Sequence, residues 1–145
     1  MKHNSLEHRM LGISIVLKFY ICLILLYALP LFVYSTKLLF FGIKLPQLMS
    51  NLIHVGLVLF LYFLYVAIKR RRQASFFFAL AFHSAFFLNG LFMLLGKPAF
   101  LIVENSYEGS LVLHPLAVWT SMVINMWIIY CITVAKYRSY FVDNI

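Results

Sequence analysis

Four apolar segments, each close to the length that crosses a bilayer, set the strongest limit on how this chain folds. They are Leu11–Val33, Leu48–Ile68, Ala74–Leu95 and Val112–Val134, and none of them contains an Asp, Glu or Arg. A helix needs about 20 consecutive, mainly apolar residues to span the hydrocarbon core of a membrane. The sequence therefore predicts four transmembrane helices.

The composition argues against a soluble fold. Of the 145 residues, 64% are hydrophobic and 11% are charged, whereas an ordinary soluble domain is about a quarter charged. A soluble domain of this size still exposes about a third of the surface of its unfolded chain, and so much apolar surface could not be kept from water. We expect an all-α membrane protein with one domain, residues 1–145, folded as an antiparallel four-transmembrane-helix bundle.

The basic residues predict the orientation of this bundle. With four spans, the N-terminus, the loop between the second and third spans, and the C-terminus lie on one side of the membrane. Nine of the 12 Lys and Arg residues are on or next to that side, namely Lys2, Arg9, Lys18, Lys69, Arg70, Arg71, Arg72, Lys136 and Arg138. An excess of Lys and Arg in short loops marks the cytoplasmic side. We therefore expect both termini in the cytoplasm.

The run Lys69–Arg72 is explained by this orientation, and nucleic acid is not an expected partner. Basic side chains beside a bilayer attract anionic lipid headgroups. We expect such contacts from Lys69, Arg70, Arg71, Arg72, Lys136 and Arg138. Near the end of the chain, Tyr137, Tyr140 and Phe141 are expected to lie along the same interface as an aromatic anchor.

Polar residues inside the spans are the candidate site, because a polar group in hydrocarbon needs a partner. They are His54, His83, Asn89, Ser121 and Asn125. Counting residues from the outer ends places His83 and Asn125 near the midplane. We expect a neutral His83 that is hydrogen-bonded to Asn125. His54 and Asn89 are shallower and similar in depth, so we expect them to pair as well.

Helical periodicity assigns faces to the third and fourth spans. His114, Ser121 and Asn125 form one stripe that should face the interior, opposite Trp119 and Tyr130. In the third span, His83 shares a face with Ala79 and Gly90. Ala74, Ala81 and Ala85 form a second small-residue face, which we expect to meet another internal helix, another copy or a different subunit.

Several kinds of chemistry are not expected. The sequence shows no nucleophile–base pair, paired carboxylates or glycine-rich phosphate loop, so we predict no catalytic residues and no enzyme activity. His54 and His83 differ in depth by about 9 Å, which argues against a haem held by both, and no His, Cys, Asp and Glu cluster has the spacing of a zinc site. Cys22 and Cys131 are expected to be small buried residues. No cofactor or metal is predicted.

The end of the chain resembles a known family. Trp127, Ile128, Tyr130, Lys136, Arg138, Phe141 and Val142 match the closing signature of small four-helix bacterial inner-membrane proteins catalogued as a domain of unknown function (family 2569). Ile129 stands where the family has proline, and Val134 and Ala135 replace polar positions. The resemblance implies a multi-pass protein of the bacterial inner membrane and implies no activity, since the family has none established.

Two functions remain open at this point. The first is a non-catalytic accessory protein whose helices stabilise a homo-oligomer or a larger membrane complex. The alternative is a module that binds or transports a small ligand, such as a lipid or quinone, in an intramembrane cavity. A filled core with paired polar layers would favour the first function, and an open cavity would favour the second.

Overall fold

The computed structural model describes residues 3–33, 37–41, 43–97, 99–104, 115–137 and 140–141. In chain order its elements are α1 (His3–Val33), β1 (Lys37–Phe40), β2 (Ile43–Lys44), α2 (Gln47–Lys69), α3 (Gln73–Leu94), β3 (Ile102–Glu104) and α4 (Pro115–Tyr137). All four predicted helices are present. The first begins at His3, well before the predicted span, and the fourth extends beyond Val134 to Tyr137.

Residue contacts show that adjacent helices run antiparallel. The pairs are Phe60 with Phe82, Phe63 with Phe78, His83 with Asn125, Gly90 with Met122, and Gly12 with Cys131. Between α2 and α3, and between α3 and α4, later residues of one helix meet earlier residues of the other. Helix α1 runs against α4, because Gly12 lies by Cys131 while Tyr20 and Asn125 both contact His83. The predicted antiparallel order of four helices is therefore observed.

The turn between α2 and α3 is short because α2 ends in a Schellman motif. The Arg72 amide donates to the Ala67 carbonyl at 3.0 Å, and the Arg71 amide donates to the Ile68 carbonyl at 2.9 Å. Arg71 takes the left-handed position with φ 57°, where glycine is the usual residue. This turn presents the basic run at one end of the bundle.

A small antiparallel sheet, which the sequence analysis did not predict, lies at the other end. Its strand order is β2-β1-β3. The sheet is joined to α2 because the backbone amide of Leu38 donates to the Ser50 hydroxyl at 3.0 Å. It is joined to the segment after α3 because the Phe41 amide donates to the Ala99 carbonyl at 3.0 Å.

Three helical segments are long and apolar enough to cross a membrane, judged by length and composition within the described residues. They are Gln47–Lys69, Gln73–Leu94 and Val118–Ala135, and α1 contains a shorter apolar stretch, Gly12–Ala28. The buried core occupies the half of the bundle nearer the basic turn. It includes Val16, Leu61, Leu64, Ile68, Ala79, Ile128 and Ile132.

Candidate functional site

Three polar side chains from three helices meet at the middle of the bundle. The ring of His83 on α3 lies between Tyr20 on α1 and Asn125 on α4. Tyr20 Oη is 2.8 Å from His83 Nε2, and His83 Nδ1 is 2.7 Å from Asn125 Oδ1. Tyr20 and His83 are fully buried, and Asn125 is 8% exposed. The predicted hydrogen bond between His83 and Asn125 is confirmed.

The backbone of α4 fixes the direction of these hydrogen bonds. Asn125 Nδ2 donates to the Ser121 carbonyl oxygen at 2.8 Å, so the amide oxygen must face His83. His83 Nδ1 then carries the proton and donates, which leaves Nε2 to accept from the Tyr20 hydroxyl. This arrangement satisfies both nitrogens of a neutral imidazole, the form that we expected.

A lateral cleft of about 670 Å³ lies between α1, α3 and α4, directly beside this cluster. Its walls are mainly apolar, with the aromatic residues Phe19, Tyr27, Phe82 and Phe86. Polar groups enter it from α4, at Thr120, Ser121 and Asn125. Among the described residues that line the cleft, none carries a formal charge. Its volume and its few polar groups are typical of small-molecule sites.

The cleft is open to the side of the bundle. Leu26 on α1 is 63% exposed and Leu116 on α4 is 69% exposed, and both line it. Nearer the basic turn α1 and α4 approach each other, since a Cβ added at Gly12 would lie 3.7 Å from Cys131 Sγ. The two helices thus meet in one half of the bundle and leave an opening in the other half.

The predicted pairing of His54 with Asn89 is wrong. His54 Nδ1 donates to the Ser50 carbonyl one turn earlier in α2, at 2.8 Å. The Asn89 side chain pairs with the backbone of Leu101, donating to its carbonyl at 2.8 Å and accepting from its amide at 3.1 Å. An amide can match a peptide group at both ends, so Asn89 ties the segment before β3 to α3.

The five candidate residues therefore do not form one site. Ser121 and Asn125 line the cleft, and His83 lies behind Asn125. His54 and Asn89 are buried elsewhere, in contacts that hold the structure together. His114, predicted on the same stripe as Asn125, lies outside the described residues. Ser121 was expected in the interior, but its side chain is exposed in the cleft.

The cysteines differ from the expectation that both are buried. Cys22 is exposed and lines the cleft, and Cys131 is half-buried beside Gly12. Both were expected to be buried because they lie within apolar helices and form no C-x-x-C arrangement, but an apolar helix gives no sign of which side faces its neighbours. Within the described part of the chain, no group of three or more His, Cys, Asp or Glu side chains is placed to hold a metal ion.

The two predicted faces of α3 have different surroundings. Ala79, His83 and Gly90 are buried, as expected for the interior face. Ala81 and Ala85 are exposed, together with Ala74. No helix of the described bundle covers this second face, so of the expected partners an internal helix is excluded.

The basic end of the bundle is built differently from the predicted anchor. Lys69, Arg70, Arg71 and Arg72 are exposed there. The Arg71 guanidinium lies 5.1 Å from the ring centre of Tyr140, whose hydroxyl donates to the Ile68 carbonyl at 3.2 Å. Burial raises the pKa of Tyr140, which Arg71 opposes, so the phenol keeps the proton that it donates.

Phe141 is not an interfacial anchor. It is buried and packs against Phe76 at the start of α3, with ring centres 5.9 Å apart. The Tyr140 amide donates to the Ala135 carbonyl at 2.9 Å, and the Phe141 ring is part of the buried core. Arg138 and the side chain of Lys136, predicted to contact headgroups, lie outside the described residues.

Tyr20 is the member of the central cluster that was not predicted from the sequence. A tyrosine in an apolar segment resembles the phenylalanines around it, because only its hydroxyl is polar. Depth was the signal that could have found it, since Tyr20 and His83 are at similar distances from the basic end of their spans.

Comparisons with known protein families, with curated proteins and with solved structures found no match. The resemblance of Trp127–Val142 to family 2569 therefore stays a prediction. The cleft and the hydrogen-bonded cluster beside it are what bear on function.

Proposed function

We propose that this chain is an integral membrane protein with four spans whose lateral cleft binds a small, mainly apolar molecule taken from the bilayer. The observation that carries the proposal is the open cleft of about 670 Å³, with aromatic walls and the polar groups of Ser121 and Asn125. Of the two functions left open by the sequence, an open cavity favours ligand binding over a purely structural role.

The surface of the bundle supports a place in the membrane. Large apolar side chains are exposed on every helix, among them Leu25, Leu59, Phe77 and Val123. A soluble monomer rarely exposes continuous apolar patches on this scale, whereas acyl chains would cover them in a bilayer. The resemblance of Trp127–Val142 to family 2569 supports the bacterial inner membrane as the location, and the excess of Lys and Arg at the end with the basic turn supports an orientation with both termini in the cytoplasm.

The experiment is purification in a mild detergent, followed by extraction and mass-spectrometric identification of what remains bound. In the Ser121→Phe variant, a phenyl ring projects into the cleft. We expect the retained molecule to fall about tenfold, the change that about 1.4 kcal/mol of lost binding produces.

Val123→Phe is the matched control, because Val123 is 62% exposed on the same helix and does not line the cleft. We expect it to retain the molecule as the unmodified protein does. Equal retention in the two variants, with both still folded, would contradict the proposal.

Assembly with another membrane helix is the second candidate function. The exposed face of Ala81 and Ala85 on α3 supports it, because small residues let helices approach closely. This face points away from the bundle, so its partner would be a second copy or a different subunit. Proteins that co-purify in the same experiment would identify that partner.

A further inference from the structure

The polar group at the inner end of the cleft is a hydrogen-bond donor. Asn125 uses Oδ1 to accept from His83 at 2.7 Å and one amide hydrogen to reach the Ser121 carbonyl at 2.8 Å. Its third contact, from Nδ2 to Ser121 Oγ, is 3.4 Å long, beyond the usual range for a hydrogen bond. The second amide hydrogen is thus only weakly bound by the Ser121 hydroxyl, and it can be donated to an acceptor atom of a ligand.

This donor is fixed in place before any ligand arrives. If the amide of Asn125 were turned over, its nitrogen would face the proton on His83 Nδ1 and its oxygen would face the Ser121 carbonyl. His83 is itself held by Tyr20 on the opposite side. A preorganised donor loses little entropy on binding, so the cluster selects for an oxygen acceptor at this point.

The depth of Asn125 restricts the ligand further. Asn125 follows Pro115, the first residue of α4, by about 15 Å of helix, half of the roughly 30 Å hydrocarbon core. A phospholipid keeps its ester and phosphate groups at the interface and would bring only an acyl chain to this depth. A molecule that places a carbonyl here must itself dissolve in the middle of the bilayer.

The cleft also favours an uncharged ligand with a flat ring. None of its described lining residues carries a charge that could pair with a carboxylate or phosphate, and an unpaired charge is strongly disfavoured in such surroundings. Lys18 is exposed one turn before Cys22 but does not line the cleft. Phe82 and Phe86, with ring centres 4.6 Å apart, provide aromatic surface for a ring to pack on.

From the fixed donor, its depth and the uncharged aromatic walls, we infer that the cleft binds a membrane-soluble lipid of the quinone class. A ring carbonyl accepts a hydrogen bond from Asn125 Nδ2, the ring lies by Phe82 and Phe86, and the hydrocarbon chain leaves through the open side. The inference rests on the proposed function and adds to it the class of ligand and the group that recognises it.

The test compares ligands within one protein. Thermal unfolding of the purified protein is measured in detergent with increasing decylubiquinone, and with decylbenzene, which has the same chain on a ring without carbonyls. Stabilisation as a function of ligand concentration gives each affinity. We expect decylubiquinone to bind about tenfold more tightly, the factor that one hydrogen bond typically contributes.

The Asn125→Ala variant should lose this tenfold preference, because the donor is gone. The ratio of the two affinities within the variant is unaffected by any loss of stability, and the comparison in the unmodified protein does not depend on the variant folding. Val123→Phe is the control and should keep the preference.

The measurements distinguish a failure of the quinone inference from a failure of the proposed function. If decylbenzene binds as tightly as decylubiquinone and Ser121→Phe weakens both, the cleft binds ligands but the quinone inference is wrong. Tighter binding of dioleoylglycerol or phosphatidylglycerol than of decylubiquinone would also overturn it. If no apolar compound stabilises the protein, the proposed function falls together with the inference.

Discussion

At the scale of single residues, His83 shows how one buried side chain can join three helices. Its two ring nitrogens contact Tyr20 and Asn125, so α1, α3 and α4 share one hydrogen-bonded chain. The bond to Asn125 was predictable, because both side chains are plainly polar and equal in depth. The contact with Tyr20 was not predicted: the depth of Tyr20 matches that of His83, but depth alone does not show which tyrosines turn toward the interior.

Removing the Tyr20 hydroxyl is the direct test of this cluster. Tyr20→Phe leaves His83 Nε2 buried without its donor, which we expect to lower the free energy of unfolding by about 1 kcal/mol. Tyr62→Phe is the control, because Tyr62 is 58% exposed on α2. This variant should leave the free energy of unfolding nearly unchanged. Reversible unfolding in mixed detergent micelles measures both, and an equal effect would show that the Tyr20 bond adds no stability.

Among the elements, α3 and α4 are in tight contact where Gly90 faces Met122. A Cβ added at Gly90 would lie 2.7 Å from Met122 Cγ and 3.2 Å from its sulfur. Atoms of real side chains do not come so close, so any larger residue must displace Met122 or part the helices. Gly90 belongs to the face of α3 that also carries Ala79 and His83, and close packing of α3 on α4 requires a small residue at this position.

Gly90→Leu is therefore expected to be destabilising by about 1–3 kcal/mol, the usual cost of overpacking a core. Gly56→Leu on α2 is the matched control, since a Cβ at Gly56 meets nothing within 4 Å. Leucine favours the helix over glycine, so the control should be neutral or slightly stabilising. Thermal unfolding of the two variants distinguishes them, and similar midpoints would contradict the close contact.

The long elements were predictable and the short ones were not. About 20 apolar residues in a row predict a long helix almost regardless of their order, which is why α2 and α3 match their predicted limits closely. The strands Lys37–Phe40 and Ile43–Lys44 are too short for their alternation to stand out. The left-handed Arg71 was equally hidden, because the sequence shows no glycine at that turn.

For the whole molecule, the two halves of the bundle differ in how tightly they are packed, and no pattern in the sequence predicted this difference. The half near the basic turn is a packed core, and the half near the sheet contains the cleft. In a membrane protein, side chains facing lipid and side chains facing the interior are both apolar. The sequence therefore locates the long apolar helices but does not show where two of them separate.

The distribution of basic residues predicts the orientation of the whole molecule in the membrane. The basic turn and Tyr140 lie at one end, and Lys44 and Lys97 lie toward the other, where the sheet covers the bundle. Since Lys and Arg accumulate on the cytoplasmic side, the end with Arg70 should be cytoplasmic. Both Arg70 and Lys97 are exposed, so each can carry a cysteine label once Cys22 and Cys131 have been replaced by alanine.

In right-side-out membrane vesicles, a membrane-impermeant maleimide should label Lys97→Cys and leave Arg70→Cys unmodified until the vesicles are opened. This pattern would place the cleft in the outer half of the bilayer, because the cleft extends from Asn125 toward the end that bears Lys97. The reverse labelling pattern would show that the protein has the opposite orientation in the membrane. The cleft would then receive its ligand from the cytoplasmic leaflet, although the depth of Asn125, near the middle of α4, would be the same in either orientation.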